Sequence, residues 1–128
     1  MFTRRTLLAG ISASLATAAH DAENKAVTVH VQPLPAPFQD WEAEFVKVTT
    51  VPGPGSAPHH HQGFVLGYVL DGAFRFALDR KPEQILHAGE AFYEPPGAEH
   101  RVSASASSTD SVHVLAIVIK PKSAAHDR

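Results

Sequence analysis

Three histidines stand at spacings that would let a single metal ion bind them all. His59 and His61 lie in the segment GPGSAPHHHQGFVLGYVLDG, which covers residues 53–72, and His100 ends GEAFYEPPGAEH, which covers residues 89–100. Both segments are β-type sequence punctuated by glycine and proline, and each presents an imidazole where a strand begins or resumes. Neutral imidazole suits iron(II), manganese, zinc, nickel or copper, and spacing alone does not choose among them. Three protein ligands leave positions open on the ion, which is typical of a catalytic site.

The same histidines have a second interpretation, in which they bind no metal. His59, His60 and His61 would then form a polar loop, and His100 would cap the core without a ligand role. Within the metal interpretation we expect His60 to face solvent, because adjacent side chains on a strand point in opposite directions. Three more side chains near these segments could supply a fourth ligand or a proton, although we expect each of them at the surface: Gln62, Glu94 and Glu99.

Length and composition restrict the class of protein. The chain has 128 residues, which suits a single domain with one core. It contains no cysteine, which excludes disulfides, thiolate metal sites and a cysteine nucleophile. The formal net charge is −2 and the only basic cluster is Arg4-Arg5, so neither nucleic acid nor an anionic membrane surface is indicated as a partner.

The first 18 residues are predicted to be a cleaved signal peptide. Arg4-Arg5 precedes a modest apolar stretch, and Ala16-Thr17-Ala18 offers small residues at a cleavage spacing, a pattern that resembles a twin-arginine signal. The alternative is an amphipathic N-terminal helix, but the stretch has no polar face. We therefore expect export from a bacterial cell to the periplasm or beyond, with a folded domain over residues 23–122 and a polar tail over residues 123–128.

Past residue 22 the sequence reads as a succession of short strands without a convincing helix. The Asp71-Gly72 pair between two apolar runs predicts a two-residue hairpin turn that would pair Val69 with Phe74. Strand alternation would then place His59 and His61 in the interior, provided that the strand runs straight back through residues 62 and 63. The other side chains predicted on this interior face, around a small gap at Gly67, are Val65, Val69, Phe74, Phe76 and Leu78.

The opposite face of the predicted hairpin is apolar where an exposed sheet would be mostly polar. A second subunit would cover this face, so we expect a homodimer; the alternative is burial under the chain's own N-terminal strands. Residues 112–119 form the strongest predicted strand, a near-continuous β-branched run typical of a segment buried on both faces. The apolar side chains in need of a cover are Phe64, Leu66, Tyr68 and Leu70.

The first histidine segment resembles a motif of the cupin family, G(X)5HXH(X)3,4E(X)6G. The match begins at Gly53, includes His59 and His61, and ends at Gly72, with every spacing reproduced. One position departs from the motif, because Val65 stands where the family usually has a glutamate ligand.

The second segment resembles the second cupin motif, G(X)5PXG(X)2H(X)3N. Gly89, Pro95, Gly97 and His100 fall at the expected positions, while Ala104 stands where the family often has asparagine. Two motifs in the right order are together a specific signal, and the resemblance covers residues 40–120 in rough terms.

The cupin resemblance implies an all-β fold, namely an antiparallel jelly-roll β-barrel, also called a double-stranded β-helix. It implies a divalent metal ion at the barrel mouth, held by His59, His61 and His100. With Val65 in place of the carboxylate, the ion would keep its full double positive charge, favour an anionic ligand and be held less tightly.

Three functional classes remain open from the sequence. The first is a metal-dependent enzyme of the dioxygenase, isomerase or lyase type that acts on a small chelating or anionic molecule. The second is a small-molecule binding or sensing protein without catalysis, with or without a metal, and the third is a structural exported protein. We expect the first, because the site leaves metal positions open, although the fold alone does not fix function.

Overall fold

The computed structural model of the protein describes residues 23–124, which fold into nine β-strands without a helix. The predicted all-β class is therefore confirmed, and most predicted strand positions agree with the structure. In chain order the strands are β1 (Lys25–Pro33), β2 (Trp41–Thr50), β3 (His59–His60), β4 (Phe64–Asp71), β5 (Ala73–Leu78), β6 (Gln84–His87), β7 (Ala91–Glu94), β8 (Glu99–Ser105) and β9 (Val112–Pro121).

The strands form two sheets that enclose one core, as in an antiparallel jelly-roll barrel. The larger sheet has the order β1-β2-β9-β4-β7 and the smaller has the order β3-β8-β5-β6. Every strand pair is antiparallel. Alternate side chains of both sheets point inward, which is why a period of two in the sequence was enough to identify the interior. The main buried cluster draws on both sheets: Val69, Phe74, Phe76, Leu78, Val112 and Val114.

The predicted hairpin at Asp71-Gly72 is wrong in its pairing. β4 bonds to β7 and β9, whereas β5 bonds to β6 and β8, so the chain passes from one sheet to the other at Gly72. Gly72 has a positive φ of 85°, and a Cβ there would lie 2.7 Å from the Ser111 carbonyl oxygen. The interior side chains predicted from the hairpin are nevertheless buried, because alternation within each strand does not depend on which strand is its partner.

The strand that carries the first histidines also differs from the prediction. β3 belongs to the smaller sheet and β4 to the larger one, so the chain does not run straight from His61 to Val65. His59 and His61 are both partly buried, while His60 between them is exposed, as alternation predicts.

The strongest predicted strand, β9, lies in the middle of the larger sheet between β2 and β4. Its inner side chains are buried except for Ala116, which lines the cavity described below and is partly buried. Leu115, Ile117 and Ile119 on the outer side are only partly buried, so β9 is not buried on both faces. Next to them, the larger sheet exposes a patch that we call the outer apolar face: Leu66 (47% exposed), Tyr68 (46%), Leu70 (43%) and Tyr93 (51%).

The N-terminal strand does not cover the outer apolar face. β1 lies at one edge of the larger sheet, while β4 and β7 lie at the other. Among residues 23–124, then, the alternative cover considered from the sequence is absent, and the expected homodimer stays a prediction.

A charged pair is buried inside the barrel. Lys120 Nζ lies 2.8 Å from Glu44 Oε1, and both side chains are fully buried. The hydroxyl of Thr28 donates a hydrogen bond to the other carboxylate oxygen of Glu44. Lys120 thus compensates the charge of Glu44, as a buried ion requires if it is to remain ionised.

The predicted signal peptide over residues 1–18 and the end of the predicted polar tail, from residue 125 onward, lie outside the described residues. Within residues 23–124 we find no helix that is long and apolar enough to cross a bilayer.

Candidate metal centre

Two adjacent strands of the smaller sheet bring the histidines together. His59 of β3 is the direct register partner of His100 of β8, and their ring centroids lie 5.1 Å apart. His61 follows β3 immediately, with its ring centroid 5.0 Å from that of His59. A turn at Gly97, with a φ of 78°, returns the chain into β8 and sets the position of His100.

The three imidazoles form a compact set of metal donors. One ring nitrogen from each of His59, His61 and His100 lies within 4.8 Å of the other two. The Nδ1 atom of His59 is 2.9 Å from the Ala57 carbonyl oxygen, which favours the tautomer that donates Nδ1–H to this acceptor. The lone pair on Nε2 of His59 is then available to a metal ion.

The environment of His59 also favours its metal-binding form. Burial lowers the pKa of His59 below its ordinary value of 6.5, and the neighbouring His100 and His61 act in the same direction. The Ala57 carbonyl and the Glu94 carboxylate act in the opposite direction without reversing the shift. His59 is therefore mostly neutral at pH 7, and neutral imidazole is the ligand.

The histidines line the wall of a cavity of about 300 Å³ between the two sheets. Much of the remaining wall is apolar and comes from Phe74, Phe92 and valines of β2 and β9. The ring of Phe92 lies where a side chain at residue 67 would be, since a Cβ on Gly67 would approach its Cζ to 2.0 Å. The small gap predicted at Gly67 is thus filled by an aromatic ring that forms part of the cavity wall.

Glu94 was predicted at the surface, and the structure contradicts this. Its side chain is 5% exposed and lies between two of the histidines. Glu94 Oε1 is 3.6 Å from His61 Nε2, and Oε2 is 3.2 Å from His100 Nδ1. The surface prediction followed from the residue type alone. Alternation along β7 places Glu94 on the same side of the strand as Phe92, and therefore in the interior.

The other residues considered from the sequence lie outside the cluster. Gln62 is exposed, and Glu99 is partly buried but is not part of the cavity wall. Val65 is 1% exposed and packs against Val46 and Val118, so its position offers no ligand atom.

The donor set fits a divalent transition metal. His100 Nε2 and Glu94 Oε1 are buried, and within the described part of the chain neither has a hydrogen-bond partner. Buried polar atoms normally have a partner, so two orphaned atoms in one cluster of ligand-type side chains are consistent with a shared cation. Three imidazoles suit iron, nickel, copper, zinc or manganese better than calcium or magnesium, which prefer oxygen ligands.

Comparisons with known proteins agree with this architecture. The family profile described as "Cupin domain" matches residues 46–118, which is more than half of the chain. No curated protein matches the sequence.

Several solved structures share the fold. A Klebsiella pneumoniae protein described as having a double-stranded beta-helix domain is 18% identical with a TM-score of 0.63, covering 82% of this chain and 83% of its own. A Cupin 2 conserved barrel domain protein from Salinispora arenicola is 20% identical with a TM-score of 0.57, covering 80% of this chain and 79% of its own. KdgF from a Halomonas species is 26% identical with a TM-score of 0.54, covering 77% of this chain and 82% of its own.

Proposed function

Because the chain belongs to the cupin domain family, we propose that its histidine cluster binds one divalent transition-metal ion and that the loaded protein is an enzyme for a small chelating or anionic molecule. The observation that carries this proposal is the convergence of His59, His61 and His100, whose ligand nitrogens lie within 4.8 Å of one another on the wall of a cavity. The reaction would be of the dioxygenase, isomerase or lyase type.

The cavity supports a small substrate. A volume of about 300 Å³ is at the lower end of the range for small-molecule pockets. A bound divalent ion would supply Lewis-acid or redox chemistry at the wall, with positions left for oxygen atoms of a substrate. The apolar side chains of the same cavity wall, such as Phe74 and Phe92, would exclude water and hold the less polar part of the molecule.

We also propose that the protein acts outside the cytoplasm, in the periplasm or as a secreted protein. The support is the Arg4-Arg5 pair followed by an apolar stretch and a small-residue cleavage site. N-terminal sequencing of the protein recovered from the bacterial periplasm would give the first residue of the mature chain. A chain that still begins at Met1 in that fraction would contradict a cleaved signal.

A homodimer is proposed on the outer apolar face. The supporting observations are four large apolar side chains that are each nearly half exposed on β4 and β7, and a β1 strand too distant to cover them. A Leu66→Glu substitution would place a charge at the contact, so we expect sedimentation velocity to show a monomer for this variant and a dimer for the parent protein. Monomeric parent protein at micromolar concentration would refute the dimer.

A second candidate function is binding or sensing of a small molecule without metal or catalysis. The observation that favours it is the Glu94 carboxylate beside His61 and His100, because a carboxylate can compensate a protonated imidazole when no metal is present. The cavity would then bind its ligand by shape and hydrogen bonds alone.

Metal content distinguishes the two candidates. The mature protein, purified without an affinity tag, would be assayed by elemental analysis before and after reconstitution with iron(II), manganese, nickel, copper and zinc in turn. His59→Ala removes one ligand, whereas His60→Ala is the matched control because His60 is exposed and neighbours the same strand position.

We expect about one ion per chain in the parent protein and in His60→Ala, and loss of the ion in His59→Ala. Binding of a redox-active metal would direct activity screens toward oxygen-dependent cleavage of small chelating acids. Absence of metal from the parent protein even after reconstitution would refute the metal-dependent function and leave the metal-free binding function.

A further inference from the structure

The larger sheet lacks a carboxylate at the position where the cupin motif usually has one. Val65 fills that position and is 1% exposed, in a cluster with Val46 and Val118. An aliphatic side chain cannot bind a cation, so a site built only from the motif positions would consist of three neutral imidazoles. The ion would then keep its full charge in a largely apolar cavity, which is an unfavourable environment for a cation.

A carboxylate lies one strand away from that position. Val65 of β4 and Glu94 of β7 are direct register partners, so their side chains leave the same face of the sheet next to each other. Directly opposed residues of an antiparallel pair have Cβ atoms about 5 Å apart, which a glutamate side chain can span. Glu94 can therefore bring a carboxylate toward the cluster that a glutamate at residue 65 would have reached.

The position of the carboxylate matches that of a ligand. Its oxygens lie 3.6 Å from His61 Nε2 and 3.2 Å from His100 Nδ1. Two donor atoms that each lie about 2.1 Å from one ion are separated by about 3.0 to 3.4 Å, depending on the angle between them. The 3.6 Å between Glu94 Oε1 and His61 Nε2 is close to this range even without an ion to draw the donors together. The contact to His100 is made through Nδ1, so Nε2 of that ring, which has no hydrogen-bond partner among the described residues, is available to the ion.

The burial of Glu94 requires a positive partner. Oε1 is buried and lacks a hydrogen-bond partner among the described residues, and a buried carboxylate is costly unless it is paired. Apart from the histidines, the only described side chain on the cavity wall with a positive charge is Lys25, which is exposed on the edge strand β1. A metal ion at the histidines would compensate the carboxylate directly.

We propose that Glu94 is the carboxylate ligand of this metal centre and takes over, from the neighbouring strand, the role that Val65 cannot perform. The proposal rests on the proposed metal-binding function. It changes the expected charge of the site, because one carboxylate reduces the net charge of a bound divalent ion and its ligands from +2 to +1. The substrate class that fits this charge best is a monoanionic chelator, which would neutralise the centre.

Glu94→Gln is the first test, because it keeps the shape of the side chain and removes its charge. Affinities for zinc and cobalt(II) would be measured by competition with a chromogenic chelator, and the visible spectrum of the cobalt(II) protein would report the ligand set. We expect about a 10-fold or larger rise in Kd and a changed cobalt(II) spectrum. Glu99→Gln is the matched control, since Glu99 lies in the same motif but outside the cavity wall, and it should behave like the parent protein.

A swap of the two positions is the second test. Glu94→Val should weaken metal binding at least as much as Glu94→Gln, and adding Val65→Glu should restore Kd to within about threefold of the parent, because the carboxylate then comes from the motif position. Circular dichroism of the metal-free variants would establish that each is folded, and Glu94→Gln decides the question if the double variant is not.

Two results would overturn the assignment. Unchanged affinity and an unchanged cobalt(II) spectrum in Glu94→Gln would mean that Glu94 only accepts a hydrogen bond from His100, a role that the glutamine amide oxygen retains. A folded double variant that does not recover affinity would also refute it. Loss of metal in His59→Ala would persist in both cases, so the failure of this assignment is distinguishable from failure of the metal site itself.

Discussion

Glu44 and Glu94 are two buried carboxylates that show two ways of placing a negative charge inside one barrel. Both face inward from the larger sheet, and they lie in one row across it, since Glu44 pairs in register with Val118, Val118 with Val65, and Val65 with Glu94. Three strand spacings of about 4.8 Å separate them. Glu44 has a lysine at 2.8 Å, whereas the ion-pair partners of Glu94 among the described residues are the imidazoles of His61 and His100.

The two carboxylates differ in the charge of their partners, and this difference distinguishes a structural ion pair from a binding site. Lysine carries its charge permanently at neutral pH, so the Glu44–Lys120 pair is closed and needs nothing from solution. The charge of an imidazole depends on pH, so Glu94, which lies among imidazoles, has no fixed cation. A fold can retain such an arrangement when the missing charge is supplied by a ligand, which is the general pattern of binding sites that reduce stability.

The largest effect is expected from breaking the closed pair. Lys120→Met would leave Glu44 buried without its cation and should lower the free energy of unfolding by about 3–5 kcal/mol. Urea unfolding followed by circular dichroism measures this loss of free energy. The control is the double variant Glu44→Leu with Lys120→Met, which removes both charges and should recover most of the loss; a double variant as unstable as the single one would contradict the explanation.

The next effect is the stabilisation that a metal should give to the open cluster. With free zinc at 100 times Kd, the folded state should gain about 2.7 kcal/mol, because the ion binds the folded chain and the unfolded chain only weakly. Thermal unfolding with zinc and with excess chelator measures the gain. His60→Ala should show the same gain and His59→Ala none, while equal gains in both variants would place the metal elsewhere.

A smaller effect of opposite sign is expected at Glu94 in the absence of metal. Glu94→Gln removes a buried carboxylate that has no fixed cation beside it and should raise the free energy of unfolding of the metal-free protein by about 1 kcal/mol. Urea unfolding of the parent protein and of this variant at pH 8, with excess chelator present, measures the difference in the free energy of unfolding. A clear loss of stability would show that Glu94 is already compensated without metal, as in the second candidate function.

The smallest effect is expected at an exposed pair, where neither burial nor a ligand is involved. Arg75 Nε lies 2.8 Å from Glu83 Oε2, and the hydrogen bonds from Arg75 hold the pKa of Glu83 below its ordinary value of 4.5. The pair's contribution is present above pH 4.5, is lost as the pH falls through the lowered pKa, and should stay below about 1 kcal/mol because solvent screens it. Urea unfolding of Glu83→Gln at pH 7 and pH 3 measures it; equal differences from the parent at both values would contradict this sign.

Local patterns were sufficient to predict the strands and the interior face. Alternation placed Val65, Phe74 and Leu78 inside without knowledge of the strand pairing, because each strand carries its own period of two. The spacing of the three histidines likewise predicted a cluster, and the structure brings the three together.

The strand pairing at Gly72 could not be predicted from local sequence patterns, and the burial of Glu94 could not be predicted from its residue type. A positive-φ glycine serves equally in a hairpin and in a crossing between sheets, and the choice at Gly72 depends on β8 and β9, which lie far along the chain. Glutamate tends to be exposed, and that tendency fails at Glu94 because alternation along β7 places this position in the interior.

The strand order has a consequence for the motions of the barrel. β3 is an edge strand of the smaller sheet and β7 is an edge strand of the larger one, and they carry His59 and Glu94. These two strands belong to different sheets and are not paired with each other, so an ion bound by both would link the two sheets through side chains alone. Amide hydrogen exchange in these two strands should then slow together on metal loading, while exchange in β1, at the far edge, stays as it was.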